Sequence, residues 1–216
     1  MTILRKLALG TAAAVAAAAS PAAAQVTISG AVTGISVHGV DPGLVITAAP
    51  IAFPVFSLSN VGDFQDYDVL TIGTGEDSVN TDFLSLFGED TVPYPVSATF
   101  SFASPTGASG SPVTGTTYGF IAPLTSCGIL AGGCGKVDWG GASLFTFGDG
   151  GKFSVELFDA TFGTPGNATV KGRFTLLANS VPEPATWAML LIGFGAVGAT
   201  LRARKSNDRT RRLRVA

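Results

Sequence analysis

The chain has 216 residues, a mean hydropathy of +0.43 and a formal net charge of −2. That average hides an asymmetry: between Gln25 and Ser180 thirteen acidic residues face only Lys136, Lys152, Lys171 and Arg173, and the other basic residues lie at the two ends. An acidic middle section disfavours nucleic acid and anionic membrane as its partners, and its wealth of Gly, Ser, Thr, Val and Phe points to β structure rather than helices.

The first 24 residues have the layout of an export signal. Arg5 and Lys6 form a positive start, Leu7 to Ala19 an apolar stretch, and Pro21-Ala22-Ala23-Ala24 a small-residue end. This pattern predicts removal by signal peptidase between Ala24 and Gln25. Residues 25–180 then form one body of ordinary domain size, long enough for a core of its own.

Along the body the alternation is short-ranged. Val26, Ile28 and Val32 share one parity while Ile35 and Val37 have the other, so a bulge or break is expected near Gly34. Strands are expected at Leu44–Thr47 and Val55–Leu58. An acidic loop is expected from Asn60 to Asp68, then a short strand at Val69–Ile72, and one helical turn within 83–87. Val96, Ala98, Phe100 and Phe102 alternate with Ser97, Thr99 and Ser101, the clearest half-buried strand. Thr114–Ala122 is a further strand. Ala142–Phe147 and Phe153–Phe158 flank Gly148-Asp149-Gly150-Gly151 as a hairpin, and Val170, Phe174 and Leu176 mark a last strand. About eight to ten short strands without a long amphipathic helix predict an all-β fold, an antiparallel β-sandwich, with a jelly roll as one form of it.

Cys127 and Cys134 are the only cysteines. In an exported chain they are expected to form a disulfide closing a glycine-rich loop, rather than to supply a thiol nucleophile. His38 is the one histidine, too few for a zinc site. Asp63, Asp66 and Asp68 form the densest acidic patch and are a weak Ca²⁺ candidate against a solvated acidic loop, since their spacing matches no EF-hand. Tyr67, Tyr94, Tyr118 and Trp139 are aromatics that can stack on sugar rings. A glycosidase needs two carboxylates across a cleft, and sequence spacing cannot show which acidic residues face each other. No residue pattern here specifies a catalytic site, so no enzyme activity is expected and no cofactor beyond that weak calcium candidate.

The final segment, 181–216, is distinct. Pro182, Glu183 and Pro184 hold the chain extended ahead of Trp187 and Ala188. Ala185 to Leu201 contains no charge and, at 1.5 Å per residue, its roughly 17 residues reach about 25 Å, the short end of a transmembrane helix. Arg202, Arg204, Lys205, Arg209, Arg211, Arg212 and Arg214 follow, a basic cluster that stays on the cytoplasmic side.

The order of Pro-Glu-Pro, Trp187-Ala188-Met189, the Gly193-Phe194-Gly195 core and a terminal Arg cluster resembles the PEP-CTERM sorting signal in its PEPxxWA spelling. The same segment also goes by the label "ice-binding protein C-terminal domain", which implies no ice binding. One departure is the second basic cluster, Arg209 to Arg214, beyond the usual stop. The resemblance implies recognition by an exosortase, a multi-spanning membrane peptidase that cleaves near the motif and passes the body to the cell surface or an exopolysaccharide matrix. The resulting expectation is an exported, temporarily membrane-anchored β-sandwich with a structural or adhesive role. A carbohydrate-binding module of the matrix and a secreted hydrolase remain as alternatives.

Overall fold

The computed structural model describes residues 25–80, 88–122, 125–180, 190–195 and 197–198. The body is two antiparallel six-stranded sheets packed face to face. The strands are β1 (Val26–Ser36), β2 (Thr47–Pro50), β3 (Phe56–Leu58), β4 (Phe64–Thr74), β5 (Tyr94–Ser104), β6 (Ser109–Gly110), β7 (Val113–Phe120), β8 (Cys134–Trp139), β9 (Ser143–Phe147), β10 (Gly151–Leu157), β11 (Ala160–Gly163) and β12 (Gly166–Ala178). The first sheet runs β11-β8-β7-β5-β1-β3 and the second β2-β4-β12-β10-β9-β6. In the first sheet β5, β7 and β8 lie side by side, while β6, between β5 and β7 in the chain, belongs to the second sheet.

Aromatic side chains join the sheets. On β12 the alternation of Val170, Phe174 and Leu176 puts all three in the core. Phe174 meets Phe53 at 5.0 Å, Phe56 at 5.3 Å and Phe100 at 6.2 Å between ring centroids. Phe102 stands edge-on to Phe145 and Phe153. Edge-to-face pairs of this kind set the ring's positive edge against a negative face and add to the burial itself.

Two bulges account for elements whose periodicity breaks in the sequence. Val32 pairs with Phe100 and Gly34 with Thr99, leaving Thr33 without a partner residue. The expected change of frame near Gly34 is therefore a bulge inside one eleven-residue strand, not a break. On β4, Leu70 pairs with Val170 and Asp68 with Lys171, so Val69 is the extra residue. Val69 and Leu70 are both buried as a result. This corrects the acidic loop expected over Asn60–Asp68: the strand begins at Phe64, and its first half escapes the alternation test because the frame shifts at Val69. Leu44 and Ile46 are buried but precede β2, which begins only at Thr47. The expected strand at Thr114–Ala122 is β7, and the expected hairpin is β9 and β10 with its turn at 148–150. Strands β6, β8 and β11 were not legible in the sequence.

Residues 190–195 and 197–198 are helical. Among the described residues no helix is long and apolar enough to cross a membrane. The rest of the Ala185 to Leu201 span, the signal segment 1–24 and the helical turn expected within 83–87 lie outside the described residues.

Candidate functional site

The strands give the sandwich two unlike ends. At one, which we call the terminal end, the chain enters at β1 and leaves from β12. Val26 pairs with Leu58, the Gly62 N–H donates to the Leu176 carbonyl at 2.8 Å, and Lys152 pairs with Ala178. At the other, the cap end, lie the segments after β1, β4 and β7 and before β5, β8 and β12. Those after β1, β4 and β7 are long and irregular, and residues 164–165 pass from β11 in one sheet to β12 in the other.

Asp63, Asp66 and Asp68 belong to the terminal half, and they do not converge. Asp63 Oδ2 accepts the Ser59 and Asn60 N–H groups at 3.0 and 2.8 Å, closing a turn. Hydrogen bonds from the Asn60 and then the Ser59 amide hold its pKa below the usual carboxylate range. Asp66 is gripped by Arg173, whose Nε and Nη2 donate to its two oxygens at 2.8 and 2.9 Å, and that pairing likewise lowers its pKa. Asp68 stands opposite Lys171 across the strands. The three carboxylates of the calcium candidate are thus engaged separately, and among the described residues no group of three or more such side chains is placed to hold a metal ion. Arg173 also lies over the rings of Phe64 and Phe158, at 4.4 and 5.0 Å from their centroids.

The cap end is where the expected disulfide lies. Cys127 and Cys134 are joined, and the glycine-rich loop between them turns through residues 129–131. Neighbouring segments are tied to that loop. The Val79 N–H donates to the Gly132 carbonyl at 2.6 Å, and the Thr164 hydroxyl donates to the Gly132 and Gly133 carbonyls at 2.8 and 3.1 Å. Gly132 and Gly133 both have positive φ, and a Cβ on Gly133 would press on Val79 and the Phe120 carbonyl. Leu130 stands fully exposed at the loop's tip.

Beneath this loop lies a feature that sequence spacing did not reveal. Asp90, two residues after Gly88, is 2% exposed and accepts the Asn80 N–H, and Glu76 is near enough for the two carboxyls to affect each other's titration. Glu76 Oε1 in turn accepts the Val45 N–H at 2.9 Å, while the Thr74 hydroxyl donates to the Val45 carbonyl at 2.7 Å. Burial pushes the Glu76 carboxyl up despite the Val45 N–H, and Asp90 and Asp41 add to the rise. Burial is also the main cause of the rise at Asp90, with Glu89 and Asp41 adding to it against the Asn80 amide. Each carboxyl is engaged by a backbone amide, Glu76 by Val45 and Asp90 by Asn80. The pair escaped the sequence reading because its members are fourteen residues apart and meet only through β4 and β5.

The single histidine is a packing residue here. His38 stacks on Tyr94 with centroids 3.7 Å apart, and its Nε2 lies 2.8 Å from the Pro42 carbonyl. Tyr118 donates to Asp138 Oδ2 at 2.8 Å, and Lys136 Nζ lies 2.5 Å from Oδ1 of the same carboxylate, on the outer face of β7 and β8. Bonding to that carboxylate raises the pKa of both Tyr118 and Lys136. At Asp138 burial acts upward, but the Lys136 and Tyr118 hydrogen bonds outweigh it and the net shift is down. Trp139 is buried in the core, with its Nε1 unpartnered among the described residues. Tyr67 packs against the core next to Phe56. The four aromatics considered as sugar platforms are thus engaged in packing or hydrogen bonding and form no common stripe.

Pro182, Glu183, Pro184, Trp187, Ala188 and the basic residues Arg202, Arg204, Lys205, Arg209, Arg211, Arg212 and Arg214 lie outside the described residues, as does Ala24. Gln25 is exposed at the start of the body. Residues 180–205 match the family model of the PEP-CTERM protein-sorting motif. No curated protein and no solved structure matches the chain.

Proposed function

We propose that this chain, which carries a PEP-CTERM sorting motif and is thereby marked for export and for exosortase-type processing, serves at the cell surface or in the extracellular matrix as a structural or adhesive protein without enzymatic activity. The observation that carries the reading is the sorting motif at residues 180–205, which begins where the β-sandwich ends. Three features of the body support it. Its irregular loops are gathered at one end and tied by a disulfide, as suits an oxidising extracytoplasmic space. Its aromatics are spent on packing rather than on a sugar-stacking stripe, which favours an adhesive role over a carbohydrate-binding module. Its Glu76 and Asp90 carboxyls are each engaged by a backbone amide, which favours it over a hydrolase.

The test is replacement of Pro182-Glu183-Pro184 by three alanines in cells that encode the sorting peptidase. The full-length precursor then accumulates in the membrane fraction and surface release stops. Unchanged mass and unchanged release would overturn the reading.

A further inference from the structure

The expected cleavage between Ala24 and Gln25 makes Gln25 the first residue of the exported body. Gln25 is exposed and stands outside the sheet, one residue ahead of β1. Among the described residues its side-chain amide has no hydrogen-bond partner.

The strand behind it has much to lose from trimming. Val26 and Ile28 are core side chains, 7% and 0% exposed. They pair with Leu58 and Phe56 of β3, and Thr27 between them pairs with Ser57. β3 is the outermost strand of its sheet, and β1 is its one neighbour there. Each residue removed from the start of β1 therefore takes a partner from β3, and two of the first three take a side chain from the core as well. An aminopeptidase begins such trimming at a free α-amino group.

We propose that Gln25 is a modification site: once freed by signal peptidase it closes on itself to pyroglutamate, which seals the start of β1. The proposal rests on the export part of the reading above and not on its sorting part. The reaction consumes nothing but the residue itself. An α-amino group has an ordinary pKa of about 8, so part of it is uncharged at neutral pH. Its nitrogen attacks Cδ of the same residue, the new N–Cδ bond closes a lactam ring, and the Cδ–Nε2 bond breaks. Nε2 leaves as ammonia, carrying the proton that the amine gives up. Exposure and an unpartnered amide leave the side chain free to turn back on the amine, and the ring forms ahead of the Val26–Leu58 pair without disturbing it. The product has lost the positive charge of the terminus, so the acidic body becomes more negative.

The test uses the full-length precursor in cells that export it. The exported body is quenched in acid on collection, so that ring closure during handling does not count, and its N-terminal chymotryptic peptide is read by mass spectrometry. The expected peptide starts at residue 25, is lighter than the plain Gln25 peptide by one ammonia, and takes no amine-reactive label. A peptide that starts at residue 25 with a labelled amine overturns the proposal and leaves the export reading standing. A peptide that starts anywhere else overturns the expected cleavage and the proposal together. Gln25→Ala cannot close the ring, and it should lose its first residues severalfold faster to an added aminopeptidase. Denaturant unfolding of the two untreated chains checks that they start equally folded, and equal trimming rates would overturn the sealing role. The triple-alanine variant bears on sorting alone: if it is still processed, the sorting reading falls and the pyroglutamate site stands.

Discussion

The two ends of the sandwich solve the same problem, closing a sheet-on-sheet core, by opposite means. The terminal end is closed by short turns and by carboxylates that are charged and well supplied with donors: Asp63 accepts two backbone N–H groups and Asp66 a two-pronged Arg173. The cap end is closed by long irregular segments, a disulfide and two neighbouring carboxyls, buried Asp90 and half-buried Glu76, each held by a backbone amide. The difference teaches that the charge state of a carboxyl follows from its donors and its exposure, not from the local density of acidic residues. The acidic patch that stands out in the sequence, Asp63 to Asp68, is electrostatically settled. The unsettled carboxyls, Glu76 and Asp90, are unremarkable in the sequence.

The core that joins the ends gives the largest expected effect. Phe174→Ala removes the ring at which Phe53, Phe56 and Phe100 meet, and a buried Phe-to-Ala change of this kind costs about 3–5 kcal/mol. Denaturant unfolding checks the size, and amide exchange read at both ends checks the coupling. Loosening at one end alone would break the picture of one shared core. Replacing Cys127 and Cys134 together by serine comes next, at about 2–3 kcal/mol from the loop entropy of so short a ring. Here exchange should speed up at the Val79 amide, which donates to Gly132, and remain unchanged at Gly62. A uniform loss of protection would mean that the ends are not separate units.

The pH response should differ in sign between the ends. Glu76 and Asp90 have raised pKa values in the folded state. Their contribution is fully present below the ordinary carboxylate range and is lost as pH rises through those raised values, so the cap end is tightest in mild acid. Asp63 and Asp66 have lowered values, so their contribution is present above the ordinary range and is lost as pH falls through the lowered values. Amide exchange of Val79 and of Gly62 across pH should therefore show opposite trends. Glu76→Gln should flatten the Val79 trend alone, and parallel trends in the unmodified protein would contradict the assignment. The smallest stability effect belongs to Leu130→Asp at the exposed tip of the disulfide loop, within about 0.5 kcal/mol of the parent chain. If the cap end is the adhesive face, this variant binds the matrix less well at unchanged stability. Unchanged binding would direct the adhesive role elsewhere on the body.

What the sequence determined by itself is whatever is encoded locally. The sorting motif is read from contiguous residue types, the β class from composition and alternation, the β9–β10 hairpin from its glycines, and the disulfide from the presence of just two cysteines in an exported chain. Alternation also placed Val170, Phe174 and Leu176 on one face, because β12 keeps its own frame along that run. Only the tertiary structure decided what depends on register and on distant segments. A single extra residue at Val69 reverses which side chains face inward, turning an apparent acidic loop into strand and giving Asp66 to Arg173. The approach of Glu76 to Asp90, the stacking of His38 on Tyr94 and the placing of the start of β1 and the end of β12 at one end of the sandwich have the same origin. Strand pairing brings together residues whose spacing along the chain carries no signal, and burial then sets their chemistry.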